Sequence, residues 1–401
     1  MTDPGINLTT EEKLLISLCR LDPGEEPEDE CRGQRAESRE LSSGIREWEN
    51  FVRIANENGV IALCWHNLTD PGFSKAVPAA IIDKFHSGYL KSLSRNTLLY
   101  NVLEEVLRLA RKENIKVILL KGIALEKTVY GNKGLRQMND IDILVSKNQA
   151  IALRNILLKN GFESQPMFSP LHEKILPAYG KHLPEMINKG ISTEIHFRLF
   201  DQKGNSLTEE IHSKAIKLPD SESDVYYPDP QLFFLYLVKH LDKHEKEGNS
   251  QLRLYTDLVV LLSNYYNKII NQQLFKYAIE ANIEKALSDK LHILETYWNF
   301  KFPEWTKSYM EKVQHEIIND MFLQFLRNPN DNGAEVGEES LLNPMKDIPG
   351  IVNKFLYIIG LVFPSLTFMK YRYQAGTKAG ALLFYPVRWW KLIRLIKTGR
   401  L

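Results

Sequence analysis

Apolar positions repeat at helical spacing through the first third of the chain. The clearest run covers residues 79–112, where leucine and valine recur every three or four positions. We expect shorter amphipathic helices over residues 9–20 and within residues 48–66. Residues 22–40 are polar and charged, which predicts a loop or a disordered insert.

Short strands alternate with helices in the next part of the chain. Runs rich in valine and isoleucine predict strands over residues 116–120 and 140–145. A short helix over residues 123–130 and a turn separate them, and a helix over residues 148–160 follows.

Two further runs, residues 181–188 and 191–199, predict a hairpin across Lys189-Gly190. Strands that alternate with helices and end in a hairpin indicate a small mixed sheet, with helices packed mostly on one face. The expected fold class is therefore α+β, a small mixed β-sheet core embedded in N- and C-terminal helical regions.

Helical spacing returns after residue 229 and continues for about ninety residues. Residues 328–350 are rich in Asn, Glu, Gly and Pro, which predicts a linker. The apolar run 351–363 is interrupted by two polar residues, and its thirteen residues are too few to span a bilayer.

These patterns divide the chain into five stretches. They are an N-terminal helical region (1–113), an α/β core (114–228), a helical domain (229–327), a linker (328–350) and an apolar, basic C-terminal helical segment (351–401).

The last part of that segment, residues 370–401, has an unusual charge pattern. It contains eight Lys and Arg residues and no acid, and Trp389 and Trp390 lie among the bases. Three interpretations stay open: a helix that docks on the body of the protein, a peripheral membrane contact, or a site for a nucleic-acid or peptide partner.

Composition excludes few function classes. The 401 residues are 44% hydrophobic and 25% charged, with a net charge of +1, so bulk charge indicates no particular partner. The cysteines, Cys19, Cys31 and Cys64, have no metal-ligand spacing, which suits a reducing cytosol. The N-terminus has no basic stretch followed by an apolar core, so we expect no signal peptide and a cytoplasmic location.

Candidate chemistry concentrates in the predicted strand 140–145. Asp140 and Asp142 lie two residues apart, so both carboxylates leave one face of the strand while isoleucines occupy the other. Such carboxylates repel each other unless a divalent cation lies between them. Glu194, in another strand-like run, supplies a third acid. An isolated Asp-x-Asp is also typical of solvated acids at a strand end, but the apolar setting favours a metal.

Other polar residues near these acids suit phosphate. Lys121 and Gly122 end the first predicted strand, at a turn that can cradle phosphates near the start of a helix. Arg136 precedes the acids and can also reach phosphate, unless it is a surface turn residue. His196 shares the face of Glu194; it would position an acceptor or transfer a proton, unless it is a satisfied core histidine.

One acid in the helical domain also needs a partner. Asp257 lies in an apolar helical run, where an unpaired carboxylate is costly. The spacing favours a structural partner, Arg253 or His240, over a role in binding a base or an acceptor.

A family resemblance is carried by Leu119 to Gly122, Arg136, Asp140 to Val145 and Glu194 to His196. Together they resemble the uncharacterised nucleotidyltransferase family, within the polymerase-β-like nucleotidyltransferase superfamily. By that resemblance Asp140, Asp142 and Glu194 would be metal ligands, and Gly122 would begin the phosphate-binding turn. Ile123 stands where the superfamily usually has Ser or Gly, and Lys121 would replace the missing phosphate contact.

The resemblance and the three acids predict an enzyme. It would be a nucleotidyltransferase with two Mg²⁺ ions, moving a nucleoside monophosphate from an NTP such as ATP to a hydroxyl or phosphate. Relatives of this kind accompany genes for peptide natural products such as lasso peptides, so the resemblance implies a peptide, protein or small-molecule acceptor. Two alternatives remain: a degenerate fold that binds a nucleotide or peptide, and a nucleic-acid-modifying nucleotidyltransferase, which the near-zero net charge disfavours.

Overall fold

A mixed sheet of seven strands lies at the centre of the computed structural model. The structure describes residues 8–21, 38–70, 73, 77–201, 204–219, 224–311, 313–329, 345 and 347–397. Helices precede and follow the sheet, which confirms the expected α+β class.

The strands are short and run in both directions. They are β1 (Val117–Leu119), β2 (Asp140–Leu144), β3 (Glu163–Ser164), β4 (Met186–Asn188), β5 (Ile191–His196), β6 (Ile216–Lys217) and β7 (Val225–Tyr227). Their order across the sheet is β3-β4-β5-β2-β1-β7-β6. β2 is antiparallel to β1 and parallel to β5, so β2 occupies a central position. The isoleucines of β2 and β5 are fully buried, as their alternation with polar residues predicts.

The hairpin between β4 and β5 confirms the turn predicted from the sequence. Lys189 and Gly190 both have positive φ, 50° and 73°, which is the backbone of a two-residue type I′ turn. Strands β6 and β7 were not predicted, because they are only two and three residues long and pair with each other and with β1.

The helices before and within the sheet are α1 (Thr10–Leu18), α2 (Trp48–Glu57), α3 (Ile61–Leu68), α4 (Ala79–Lys112), α5 (Lys121–Leu125), α6 (Lys147–Lys159), α7 (Pro170–Tyr179) and α8 (Asn205–Lys214). Those after the sheet are α9 (Pro230–Lys246), α10 (Leu252–Ile269), α11 (Gln272–Glu280), α12 (Glu284–Trp298), α13 (Glu304–Met310), α14 (His315–Arg327), α15 (Ile351–Val362), α16 (Leu366–Arg372), α17 (Lys378–Ala381) and α18 (Tyr385–Lys397).

The predicted helices agree with these bounds to within a few residues, with two differences. The helix predicted over 123–130 begins two residues earlier and continues from α5 as a π-helical turn, Glu126–Tyr130. The prediction of a loop or disordered insert over residues 22–40 is wrong at its C-terminal end, because residues 38–43 are helical and partly buried. Its remaining residues, 22–37, lie outside the described part of the chain.

The C-terminal helices form small clusters apart from the main core. One cluster joins Ile175 of α7 to Ile348, Tyr357 and Leu361, and another lies within α16 to α18. Most of the predicted linker, residues 330–344, is outside the described residues. No single described helix has the length and apolarity to cross a membrane, although α15 and α16, bent by 51°, pass that test as a pair.

Candidate active site

Two adjacent parallel strands, β2 and β5, bring the predicted acids together. Their register places Asp142 directly beside Glu194, with Asp140 and His196 each two residues away along its own strand. Residues two apart on a strand share a face, so all four side chains leave the same face of the sheet. The alternation that was evident in each strand separately therefore produces one polar cluster.

Lys121 and His196 bridge the two central acids. The Lys121 Nζ atom lies 2.7 Å from Asp142 Oδ1 and 3.9 Å from Glu194 Oε2. The His196 Nε2 atom lies 2.9 Å from the same Asp142 oxygen and 3.1 Å from Glu194 Oε2. Only 2% of the Asp142 side chain is exposed, so protein groups rather than water compensate its charge.

These contacts shift pKa values toward the charged form of each group. Burial opposes ionisation of Asp142, but Lys121 and His196 outweigh it and hold the pKa of Asp142 well below its usual range. The hydrogen bond with His196 lowers the pKa of Glu194. Burial disfavours the charged forms of His196 and Lys121, yet the acids beside them raise the pKa of both groups. In this cluster each acid therefore favours the charged form of its basic neighbours, and each basic group favours the charged form of the acids.

Asp140 differs from its neighbours. Burial, reinforced by the nearby Asp142 carboxylate, raises the pKa of Asp140 to about 6. Asp140 is thus the acid of this face whose charge changes closest to physiological pH. A cation beside it would favour its ionised form.

The turn after β1 has an unusual backbone conformation. Lys121 has a φ of 45°, in the left-handed region that residues with a Cβ rarely occupy. Such a residue costs about 1–3 kcal/mol and persists where its surroundings hold it in place. Here the buried Leu120 precedes it, and the ion pair with Asp142 fixes its side chain.

Gly122 is required by the close approach of Arg136. A Cβ atom at Gly122 would lie 2.2 Å from Arg136 Nη1. Arg136 donates from Nε and Nη2 to the two carboxylate oxygens of Asp257, at 2.7 and 2.6 Å. Arg136 is therefore a buried residue rather than a surface turn residue. The prediction that Asp257 pairs with Arg253 or His240 is wrong, because the fold brings Arg136 to it from 121 residues away.

A cavity of about 620 Å³ opens onto this cluster. Its volume is typical of sites for small molecules and cofactors. The predicted site residues in its lining are Lys121, Gly122, Arg136, Asp140, Glu194 and His196. Eight Lys and Arg residues and four Asp and Glu residues line it, and three acids outside the lining, Asp142, Asp201 and Asp257, pair with four of these cations. An anionic ligand would therefore meet basic groups in the cavity, most of which are already paired with acids.

A family model described as uncharacterised nucleotidyltransferase matches residues 45–299, more than half of the chain. The chain belongs to this nucleotidyltransferase family. The match contains the whole sheet, the acid cluster and the cavity, and it confirms both the resemblance and the prediction of an enzyme. Comparison with curated proteins and with solved structures gave no match.

Three described side chains of this nucleotidyltransferase are close enough to hold a metal ion. Donor atoms of Asp142, Glu194 and His196 all lie within 4.8 Å of one another. This group differs from the predicted trio, because His196 takes the place of Asp140. Carboxylate oxygens suit Mg²⁺ and Mn²⁺, and imidazole suits other divalent metals. Lys121 now neutralises Asp142, so a metal that binds there has to displace its ammonium group.

Several basic residues of the nucleotidyltransferase cavity were missed in the sequence. Lys239, Lys243 and Lys246 line it from α9, and their i, i+4, i+7 spacing is a signal that the sequence contains. Lys181 and Arg198 line it beside the hairpin and follow no comparable pattern.

An acid at the edge of the cavity holds two of these lysines in place. Asp201 lies 2.5 Å from Lys181 Nζ and 2.6 Å from Lys239 Nζ. Burial opposes ionisation of Asp201, but the two ammonium groups lower its pKa to about 2. One carboxylate therefore fixes the positions of two cations, one from the hairpin side and one from α9.

Proposed function

We propose that this nucleotidyltransferase moves a nucleoside monophosphate from an NTP to a hydroxyl or phosphate of a peptide, protein or small-molecule acceptor. The observation that carries the proposal is the pairing of two strand carboxylates, Asp142 and Glu194, beside a cavity whose lining has eight Lys and Arg residues and four acids. Pyrophosphate would be the second product. We place the reaction in the cytoplasm, as the sequence predicts, because NTPs are its donors.

Asp142 and Glu194 would hold Mg²⁺, and Asp140 would join them to hold a second ion once it is ionised. The donor set fits, because Mg²⁺ takes one or two protein carboxylates and completes its coordination with water and phosphate oxygens. When bound, the metal would polarise the reacting phosphate and neutralise charge on the pyrophosphate. The Nε2 atom of His196 lies within hydrogen-bonding distance of both acids, which supports a role in positioning the carboxylates.

Lys121, Gly122 and Arg136 would contact the triphosphate. When a metal displaces the Lys121 ammonium from Asp142, the ammonium remains at the cavity and can bind a phosphate oxygen. Arg136 is held by both oxygens of Asp257, and its Nη1 group, which lies beside the turn at Gly122, donates to the Gln137 carbonyl at 3.3 Å. A donor fixed in advance stabilises developing charge without reorganising. Ile123 offers no hydroxyl, and Lys121 would supply the contact instead.

In the transfer step, an oxygen of the acceptor attacks the α-phosphorus of the NTP. The bond from that phosphorus to the pyrophosphate oxygen breaks, and the proton of an attacking hydroxyl passes to solvent. The chain's contribution is to hold donor and acceptor in line within the cavity and to neutralise the phosphate charges.

Mass spectrometry of candidate acceptors would test the proposal. The protein is incubated with Mg²⁺, the four NTPs and, separately, peptides (linear lasso-type precursors included), phosphopeptides, small alcohols and an RNA oligonucleotide. We expect one acceptor class to gain the mass of a nucleoside monophosphate, with one pyrophosphate released for each transfer. Nucleotide binding that needs no metal and releases no pyrophosphate would instead indicate a degenerate binding module. Modification of the RNA alone would indicate a nucleic-acid enzyme.

A further inference from the structure

Helix α15 has two apolar faces, and only one of them is covered. Tyr357, Gly360 and Leu361 are buried, and the Tyr357 ring lies 4.7 Å from that of His172 in α7. The exposed side chains of the other face are Ile351, Val352, Phe355 and Ile358. Their spacing of three and four residues places them on one side of the helix. Ile351 and Phe355 are 81% and 63% exposed, which is unusual for side chains of this size.

The exposed apolar surface continues onto α18. The ring of Phe363, just after α15, lies 5.7 Å from that of Trp389, and Trp389 Nε1 donates to the carbonyl of Val362 at 2.9 Å. Trp390 and Ile393 of α18 are more than half exposed. We call the exposed apolar side chains of α15 and α18, together with Phe363, the tail surface.

The tail surface persists after α18 has docked. Arg388 is buried, and its Nε and Nη2 groups donate to the Leu361 carbonyl at 2.9 and 2.7 Å. Its guanidinium also lies over the rings of Phe168 and Phe368. These contacts fix α18 against α15, α16 and the segment before α7. The buried side chains are therefore accounted for by docking of the tail, and the tail surface stays exposed.

Charge is strongly segregated between this segment and the rest of the chain. Residues 348–401 contain nine of the 51 Lys and Arg residues and none of the 50 acids. The segment therefore carries +9 and the preceding residues −8, although the whole chain is close to neutral. Lys370, Arg372, Lys378, Lys391 and Arg394 are exposed.

We propose that the tail surface binds the face of an anionic lipid bilayer, with its aliphatic and aromatic side chains at the level of the headgroups. Exposed apolar groups beside Lys and Arg are the combination by which interfacial helices bind anionic membranes. Several of the apolar groups are aliphatic, and these gain little from nucleic acid, whose bases stack on aromatic rings. A second copy of the chain would bring two segments of +9 together, and like charges repel.

Vesicle sedimentation tests the proposal with the whole protein. The probes are phosphatidylcholine vesicles with and without 30% phosphatidylserine. We expect binding to the anionic vesicles that weakens steeply at high salt, and little binding to the neutral ones. The double variant Ile351→Ser/Phe355→Ser should bind at least about tenfold more weakly. Ile317→Ser is the matched control, because Ile317 is 58% exposed on a different helix, α14, and its variant should bind like the unmodified protein.

Charge variants and tryptophan fluorescence complete the test. The variant Lys391→Gln/Arg394→Gln should bind anionic vesicles about 25-fold more weakly. The control variant Lys147→Gln/Lys159→Gln, which removes two exposed bases of α6, should bind like the unmodified protein. Brominated lipids should quench tryptophan emission, and the quenching should be smaller in Trp390→Phe and smaller still in Trp389→Phe/Trp390→Phe.

Three results would overturn the proposal. They are no binding to anionic vesicles, equal loss of binding in the tail and control variants, and stronger binding to an RNA oligonucleotide than to vesicles. Retention on membranes after an alkaline carbonate wash would also overturn it, because the bent pair of α15 and α16 would then insert into the bilayer instead of binding its face. Because vesicle binding needs no NTP or acceptor, this test can fail or succeed independently of the proposed transfer reaction.

Discussion

Replacing Lys121 by methionine should separate metal binding from catalysis. The Lys121 ammonium lies 2.7 Å from Asp142 Oδ1, and 14% and 2% of the two side chains are exposed. At an effective dielectric constant of 20, charges at this separation attract by about 6 kcal/mol. Most of this is offset by the hydration that the ammonium gives up, and net values for hydrogen bonds to charged groups are about 1.5–3 kcal/mol.

A metal ion has to break this ion pair before it can bind Asp142. Without the ammonium, that cost disappears, so Lys121→Met should bind Mn²⁺ or Mg²⁺ roughly tenfold to a hundredfold more tightly. Nucleotidyl transfer should nevertheless slow by about 100-fold or more, because a fixed donor to the phosphates is lost. Metal affinity is measured by titration calorimetry without NTP, and transfer by the release of pyrophosphate.

A surface pair provides the control for this experiment. Lys217 Nζ also lies 2.7 Å from a carboxylate, that of Asp224, but both side chains are more than half exposed. Lys217→Met should change neither metal binding nor transfer, because exposed pairs contribute little. If Lys121→Met bound metal no more tightly than the unmodified protein, or transferred at the same rate, the placement of Lys121 between cation site and phosphates would be refuted.

Three further predictions concern the same site. Gly122→Ala should slow pyrophosphate release at least about tenfold, because the added Cβ would displace Arg136. The control Gly376→Ala, whose Cβ would have no atom within 4 Å, should release pyrophosphate at the unmodified rate. Asp257→Asn should lower the free energy of unfolding by about 3–5 kcal/mol in urea titrations, because Arg136 stays buried without its anion; a loss under 1 kcal/mol would contradict this. Metal affinity should rise as pH increases through about 6, where Asp140 ionises, and Asp140→Asn should remove that part of the rise while leaving any part that His196 causes at higher pH.

Much of the fold was predictable because its signals are local. The alternation around Asp140 and Asp142 defined β2 and the face on which both acids lie, and the register with β5 confirmed it. The Lys189-Gly190 pair marked the hairpin turn, since both residues adopt positive φ. Strands β6 and β7 had no such signal, because two or three residues carry no periodicity and their pairing is set by long-range contacts.

The site was predictable in composition but only partly in geometry. Asp142, Glu194 and His196 meet, whereas the predicted metal trio was Asp140, Asp142 and Glu194. The pairing of Arg136 with Asp257 was missed, because no local spacing connects residues that far apart in the chain. The left-handed backbone of Lys121 was also not foreseen, because lysine has no preference for it and tertiary contacts impose it.

The most direct test of the central claim is metal-dependent pyrophosphate release by Asp142→Asn and Glu194→Gln, beside the unmodified protein, with Mn²⁺ binding followed by electron paramagnetic resonance. Both replacements keep the size of the side chain and remove one metal-ligand charge, and thermal unfolding checks that each variant is folded. The account predicts that both variants lose Mn²⁺ binding and release pyrophosphate about 1,000-fold more slowly or worse. Release at the unmodified rate by either folded variant would contradict it.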